Sequence, residues 1–226
     1  RLTTFGGLLA ASNQVAHGLR ALGLERGDAI GVVLPNEPAF LELYLAASQI
    51  GLYITPINYH LTGPEIAYVL QDSEAKAFVV GERFAAAGRA AVEEAGLGAE
   101  ARFVAGKVDG FRTYDELKDG QPESLPEART AGQTMLYTSG TTGRPKGVRR
   151  PLPEADPDTA ASLSALLASL FEVQPGEGVH LAAGPLYHAA PLAFGTGALH
   201  LGQGVVLMDK WSPERTLELI ERHRVT

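Results

Sequence analysis

The sequence predicts an α/β protein with mainly parallel sheet(s) flanked by helices. Three observations predict it. Short apolar runs, such as residues 29–34 and 77–80, alternate with segments of helical period. Those runs lack the apolar–polar alternation of a half-solvated strand, so they read as strands covered on both faces. Turn and cap residues fall at the joints between them.

Taken in order, residues 2–22 read as a helix. Leu8, Leu9, Ser12, Val15, Ala16, Leu19 and Leu22 fall at helical spacing, and Gly23 stands where a helix would stop. Residues 25–28 are a turn and 29–34 a buried strand. Asn36 is placed to cap the next helix, with Pro38 in its first turn. Phe40, Leu41, Tyr44, Leu45 and Ser48 share one side of that helix, which ends near Gly51. Residues 53–57 are a strand. Thr62-Gly63-Pro64-Glu65 is a capping box that opens a helix to about Gln71. Residues 77–80 form a strand, 84–95 a helix, 102–105 a strand and 114–118 a short helix. Residues 119–132, with Pro122 and Pro126, are a surface connector, and a strand follows from Gln133.

This rhythm means βαβ units, and in such sheets ligands bind beyond the carboxyl ends of strands. Further on, residues 149–157 are irregular and 158–171 helical. Residues 178–182 are a strand, 185–192 a loop, 192–201 a helix and 205–208 a strand. Ser212-Pro213-Glu214 caps a last helix, and Val225-Thr226 look like the start of another strand.

Composition removes several function classes. The 226 residues carry a net charge of −7 and a pI near 5.4, against a general nucleic-acid binder. There is no cysteine, hence no disulfide, thiolate metal site or cysteine nucleophile; the absence fits a reducing compartment, and the expected location is cytoplasmic. The long uncharged run 178–208 contains Pro185, Pro191, three histidines and repeated glycines. A spanning helix needs about 20 mainly apolar residues in one run, so we read buried strand, loop and helix there and expect no integral membrane segment. The histidines outside His188 show no metal-ligand spacing, and no metal site is expected from protein side chains. Glu93-Glu94 and Asp156 with Asp158 read as solvated faces.

The stretch from Met135 to Val148 carries the chemistry. A strand end is followed by Thr138, Ser139, Gly140, Thr141, Thr142 and Gly143, then Arg144-Pro145-Lys146-Gly147. Glycines let backbone N–H groups converge on one anion, the hydroxyls add donors, and Lys146 adds a mobile cation suited to phosphate. The competing reading is a glycine-rich turn with a surface lysine. Three consecutive small or hydroxylic positions between a strand and a lysine favour the phosphate loop. The spacing is not that of a P-loop, because neither Gly140 nor Gly143 stands four residues before Gly-Lys-Ser/Thr. An acidic chain that holds a polyphosphate must gather positive charge locally, as Lys146, Arg144, Arg149 and Arg150 would do.

The run from Tyr137 to Val148 resembles, without a gap, the signature loop of the adenylate-forming (AMP-binding) enzymes. These include acyl-CoA synthetases, peptide-synthetase adenylation domains and luciferases. The branch it looks most similar to is the acyl-CoA synthetases and fatty-acid–CoA ligases. The resemblance implies ATP-dependent activation of a carboxylic acid, expected to be a fatty acid, to an acyl-adenylate, then transfer to coenzyme A by an acid–thiol ligase. Implied partners are ATP, Mg2+, CoA and a small carboxylic acid, with no nucleic acid. Thr138 to Gly143 and Lys146 would hold the ATP phosphates, and Lys146 would also act in catalysis.

Pro185-Leu186-Tyr187-His188 resembles a second block of the family, which lines the acyl pocket. It implies a catalytic role for His188, with Tyr187 and Leu192 as acyl-pocket neighbours. A neutral imidazole can donate to a carboxylate while the apolar flank holds an acyl chain; a histidine satisfied within a buried loop is the competing reading. After the first motif, family members often carry a histidine and an asparagine, where this chain has Arg149-Arg150-Pro151-Leu152-Pro153. The family's adenine platform, ribose-binding acid, hinge and C-terminal lysine domain have no counterpart here. The expected organisation is a partial N-terminal adenylation domain over 1–226: a first α/β portion (1–118), a connector (119–132) and a phosphate-loop and acyl-pocket portion (133–226). The missing C-terminal portion would complete the enzyme. A stand-alone nucleotide or acyl binder without catalysis is the alternative.

Overall fold

The computed structural model describes residues 2–138, 144–162, 171 and 173–226. It forms two compact units: Arg1–Leu34 with Pro38–Pro157, and Pro35–Glu37 with Asp158–Thr226.

The first unit contains helices α1 (Phe5–Ala21), α2 (Pro38–Gln49), α3 (Gly63–Asp72) and α4 (Ala85–Ala95). Its main sheet contains β1 (Ala29–Val33), β2 (Tyr53–Pro56), β3 (Ala75–Gly81), β4 (Arg102–Ala105), β5 (Arg112–Thr113) and β6 (Gln133–Thr134). The strand order is β5-β4-β3-β1-β2-β6, and every pairing in it is parallel. The parallel α/β expectation therefore holds. Strand β1 is buried at every position, which is why it reads as an unbroken apolar run. Its Val33 joins Ile66, Leu70, Phe78, Val80, Val92 and Val104 in one core cluster. At Gly31 a side chain would meet Leu70 Cδ2 at 2.3 Å, so the bare backbone lets α3 lie close to the sheet.

Several local readings change. Helix α1 begins at Phe5, not Leu2, because Thr4 Oγ1 accepts the N–H of Gly7 at 3.1 Å and caps it there. Leu9 leaves the expected buried face and is exposed. Asn36 does not cap α2; its amide bonds elsewhere, as described below. Helix α2 buries Phe40, Leu41, Leu43, Ala46 and Ala47, while Tyr44, Leu45 and Ser48 are only half-buried. It packs against both α1 and β2, so a single-stripe reading fails. The expected helix at 114–118 is a 3-10 turn, Asp115–Leu117, and the two-residue β5 precedes it. The connector is a strap bound to α1. Asn13 donates to Glu123 O at 2.7 Å, and Arg20 donates to Glu127 O at 2.6 Å and Ala128 O at 3.2 Å.

In the second unit, residues 158–162 are helical; the rest of the helix expected to 171 falls largely outside the described residues. Strands β9 (Val179–Ala182) and β10 (Gly204–Leu207) pair in parallel, with helices α5 (Ala189–His200) and α6 (Pro213–His223) beside them in sequence. The uncharged run thus folds as strand, loop, helix and strand. Among the described residues no helix is long and apolar enough to cross a membrane. Ser212 caps α6 by accepting the N–H of Arg215 at 3.1 Å. Thr226 lies beside β9, its N–H donating to Val179 O at 3.1 Å.

Candidate active site

The sequence places the signature loop at the end of a parallel strand. The structure corrects this: the chain leaves the parallel sheet after Thr134, before the loop begins. Met135 N–H donates to Ile54 O at 2.8 Å. Beyond it, β7 (Leu136–Thr138) pairs antiparallel with β8 (Lys146–Val148). The loop therefore joins the two strands of a hairpin, with Thr138 and Lys146 as direct partners at its mouth. Ser139, Gly140, Thr141, Thr142 and Gly143 lie outside the described residues.

The hairpin has a local cause. Tyr137 faces Gly147 across the strands, and a side chain at Gly147 would meet the Tyr137 ring at 2.8 Å. The missing Cβ lets the ring lie over the opposite backbone. The hairpin is then fastened to α3 from β7 and from the residue just before β8. Tyr137 donates its hydroxyl to Asp72 Oδ2 at 2.6 Å, and Tyr68 donates to Pro145 O at 3.1 Å. The Arg144 guanidinium stands 5.5 Å from the Tyr68 ring centre. Tyr68 and Asp72 are one helical turn apart, so one face of α3 grips both sides of the loop. Burial, and then the neighbouring Asp72 carboxylate, push the Tyr137 phenol well above its ordinary range. It stays protonated and remains a donor.

Of the expected cationic cluster, the described contacts leave Lys146 available. It is exposed, and its ammonium makes no hydrogen bond or ion pair among the described residues. Arg149 is used inside the unit: it donates to Gly27 O at 2.7 Å, pairs with Glu74 at 3.4 Å and stacks 4.6 Å over Tyr53. The Arg150 carbonyl accepts the Tyr53 hydroxyl at 2.6 Å. A cation with no side-chain partner among the described residues, paired with Thr138 at the mouth of a hydroxyl-glycine run, fits a polyphosphate.

The second group belongs to the second unit. His188 is the N-cap residue of α5; its N–H donates to Pro185 O at 3.0 Å and its carbonyl accepts from Leu192 N at 3.2 Å. The helix starts earlier than expected, at Ala189, and Pro191 fits its first turn. His188 is exposed, Tyr187 half-buried with its ring 4.4 Å from the imidazole, and Leu192 is buried at 3% exposure. The three are thus gathered within one turn, two at the surface and one in the core. Free N–H groups at the start of α5 add positive potential beside the imidazole. On β9, burial pushes the His180 imidazole below its usual range. Among the described residues, no group of three or more His, Cys, Asp or Glu could hold a metal ion.

Sequence reasoning missed Tyr68, Asp72 and the true use of Asn36. All three act through contacts distant in sequence.

A mainly parallel sheet leads into a hairpin whose connecting sequence is rich in glycine and hydroxyls. The model of the AMP-binding enzymes matches residues 1–226, and the chain belongs to that family. It is 31% identical over 227 residues to feruloyl-CoA synthase of an Amycolatopsis species, covering 99% of this chain and 42% of that protein. It is 27% identical over 228 residues to the long-chain-fatty-acid–CoA ligase FadD13 of Mycobacterium tuberculosis, covering 98% of this chain and 43% of that protein. It is also similar to the o-succinylbenzoate coenzyme A synthetase of Bacillus subtilis, solved in complex with ATP and magnesium ion. The TM-score is 0.75 at 26% identity, over 100% of this chain and 56% of that one. The chain spans less than half the length of the two curated relatives.

Proposed function

We propose that the full-length protein is an AMP-forming acid–CoA ligase. The acid's carboxylate oxygen attacks the α-phosphorus of ATP, the α–β phosphoanhydride bond breaks, and pyrophosphate leaves. The CoA sulfur then attacks the acyl carbon and the bond to AMP breaks. The observation that carries this reading is the pairing of Thr138 with Lys146 at the mouth of the hairpin, the lysine ammonium having no partner among the described residues. Thr138, Lys146 and the loop residues 139–143 would hold the phosphates. Lys146 would offset the charge that develops on the leaving pyrophosphate. Mg2+, when bound with ATP, supplies further charge neutralisation among the phosphate oxygens.

His188, at the start of α5, would receive the acid carboxylate, with Tyr187 and the Leu192 turn on the acyl side. A fatty acid is the substrate expected from the motifs. An aromatic acid is a second reading, favoured by the higher identity to feruloyl-CoA synthase than to the long-chain ligase. The supply of ATP and CoA, with a chain free of cysteine, suits work in the cytoplasm.

Acid-dependent ATP–pyrophosphate exchange by the full-length enzyme, over fatty acids of graded length and cinnamate-type acids, tests the reading. His188→Ala should lower kcat/KM for the preferred acid by about tenfold to a hundredfold, the range of a lost charge-assisted hydrogen bond, with an unchanged melting temperature. An unaltered acid profile, or unfolding alone, returns His188 to a structural role. Nucleotide binding with no acid-dependent exchange would make the protein a binding module.

A further inference from the structure

Asn36 lies between β1 and α2 in the chain, yet belongs to the second unit. Its side chain is buried at 7% exposure. Nδ2 donates to Gly184 O at 2.8 Å and Met208 O at 2.9 Å, with Ala182 O at 3.3 Å. Oδ1 accepts the N–H of Leu186 at 2.8 Å. An amide offers two donor hydrogens and one acceptor oxygen, and all are used here. The partners are not scattered. Ala182 ends β9, Met208 follows β10, and Gly184 and Leu186 belong to the loop that leads to His188.

That loop has little slack. Leu186 is 1% exposed. A side chain at Gly184 would meet the Pro191 ring at 2.8 Å. His188 N–H closes the turn onto Pro185 O. A short tight path therefore runs from the Asn36 amide through Leu186 to Tyr187 and His188. Removing the amide would leave the Leu186 N–H and two carbonyls without partners in a buried place, and the loop would shift to recover them.

We propose that Asn36 is a positioning residue for the acid side of the reaction. Its amide sets where Tyr187 and His188 stand, and through them which acids are accepted. This rests on reading the His188 loop as the acid-binding segment. The test uses full-length Asn36→Ala and Asn36→Asp beside His188→Ala. The carboxylate of Asn36→Asp keeps the acceptor for Leu186 but faces three carbonyl oxygens, so its effect should exceed that of Asn36→Ala.

Both Asn36 variants should raise acid KM, by about tenfold or more for the loss of two buried hydrogen bonds. They should also reorder the acid profile and leave ATP KM within about twofold of the parent value. Simple destabilisation would reduce the active fraction, scaling every kcat alike without moving either KM or the profile. That outcome, or loss of folded protein in both variants, overturns the proposal. If His188→Ala moves the acid profile and the Asn36 variants do not, the positioning role falls and the acid-binding reading stands. If none of the three moves it, both fall.

Discussion

A charge held in place differs from a charge kept waiting, and the lysines separate on that distinction. Lys118 is tied to Glu42 at 3.4 Å and Asp115 at 3.1 Å, and Lys76 to Asp28 at 2.8 Å. Lys146, at the mouth of the hairpin, has no such partner among the described residues. In the full-length enzyme, Lys146→Ala should lower kcat/KM for ATP by about tenfold to a hundredfold, corresponding to ~1.5–3 kcal/mol for a charge-assisted contact. Lys107→Ala, at another exposed lysine, should leave it unchanged. Steady-state kinetics in ATP decide the matter, and equal values for the two variants would defeat the assignment. Residue roles of this kind are legible in a sequence only when local. Lys146 stands in a contiguous motif and can be read there. Asn36 precedes a proline-opened helix, and the capping rule misreads it because its real partners lie 146 to 172 residues further on.

Elements written by short-range rules are predicted well. Thr62 and Glu65 foretell the start of α3, and the Glu65 carboxylate accepts the Thr62 N–H at 2.8 Å and hydroxyl at 2.7 Å. Those two bonds, the backbone one first, hold the Glu65 carboxyl below its usual range. A carboxyl lowered on folding stabilises above its unfolded pKa, near 4.3, and loses that contribution as pH falls through the lower folded value. Because Glu65 is exposed, the effect is small. Glu65→Gln should melt slightly below the parent at neutral pH, with the gap closing as the solution is taken below about pH 4. Melting curves across pH check this, and a gap independent of pH would exclude the charged cap as its cause. The β7–β8 hairpin was not legible. Nothing within residues 133–138 says that the strand splits after Thr134. The split depends on Gly147 and on the grip of α3, supplied from elsewhere in the chain.

At the scale of the molecule, the parallel sheet could be foreseen because each strand–helix pair announces itself in order. The division into two units could not, since the second takes in Pro35–Glu37 from within the first. The 226-residue chain carries the β7–β8 hairpin and the His188 turn, and spans 42% of the length of feruloyl-CoA synthase. Exchange of label between pyrophosphate and ATP requires the α-phosphorus to be aimed at the carboxylate, and such positioning accounts for about 7–11 kcal/mol of a barrier in good cases. Phosphate contacts alone do not aim it. The isolated chain should therefore show no ATP–pyrophosphate exchange beside an active full-length protein. A comparable rate would mean that the active site is already complete within these residues.

The strap over α1 carries a different lesson. Asn13, Arg20 and Gln14 reach from the helix to main-chain oxygens of Glu123, Glu127, Ala128 and Gln121, not to their side chains. Every amino acid presents that oxygen, proline included, so Pro122 and Pro126 sit within the strap without loss. The helix therefore measures distance along the strap and is indifferent to its composition. Evolution is free to rewrite this segment letter by letter, but one added or deleted residue would throw every later oxygen out of step with the side chain that meets it.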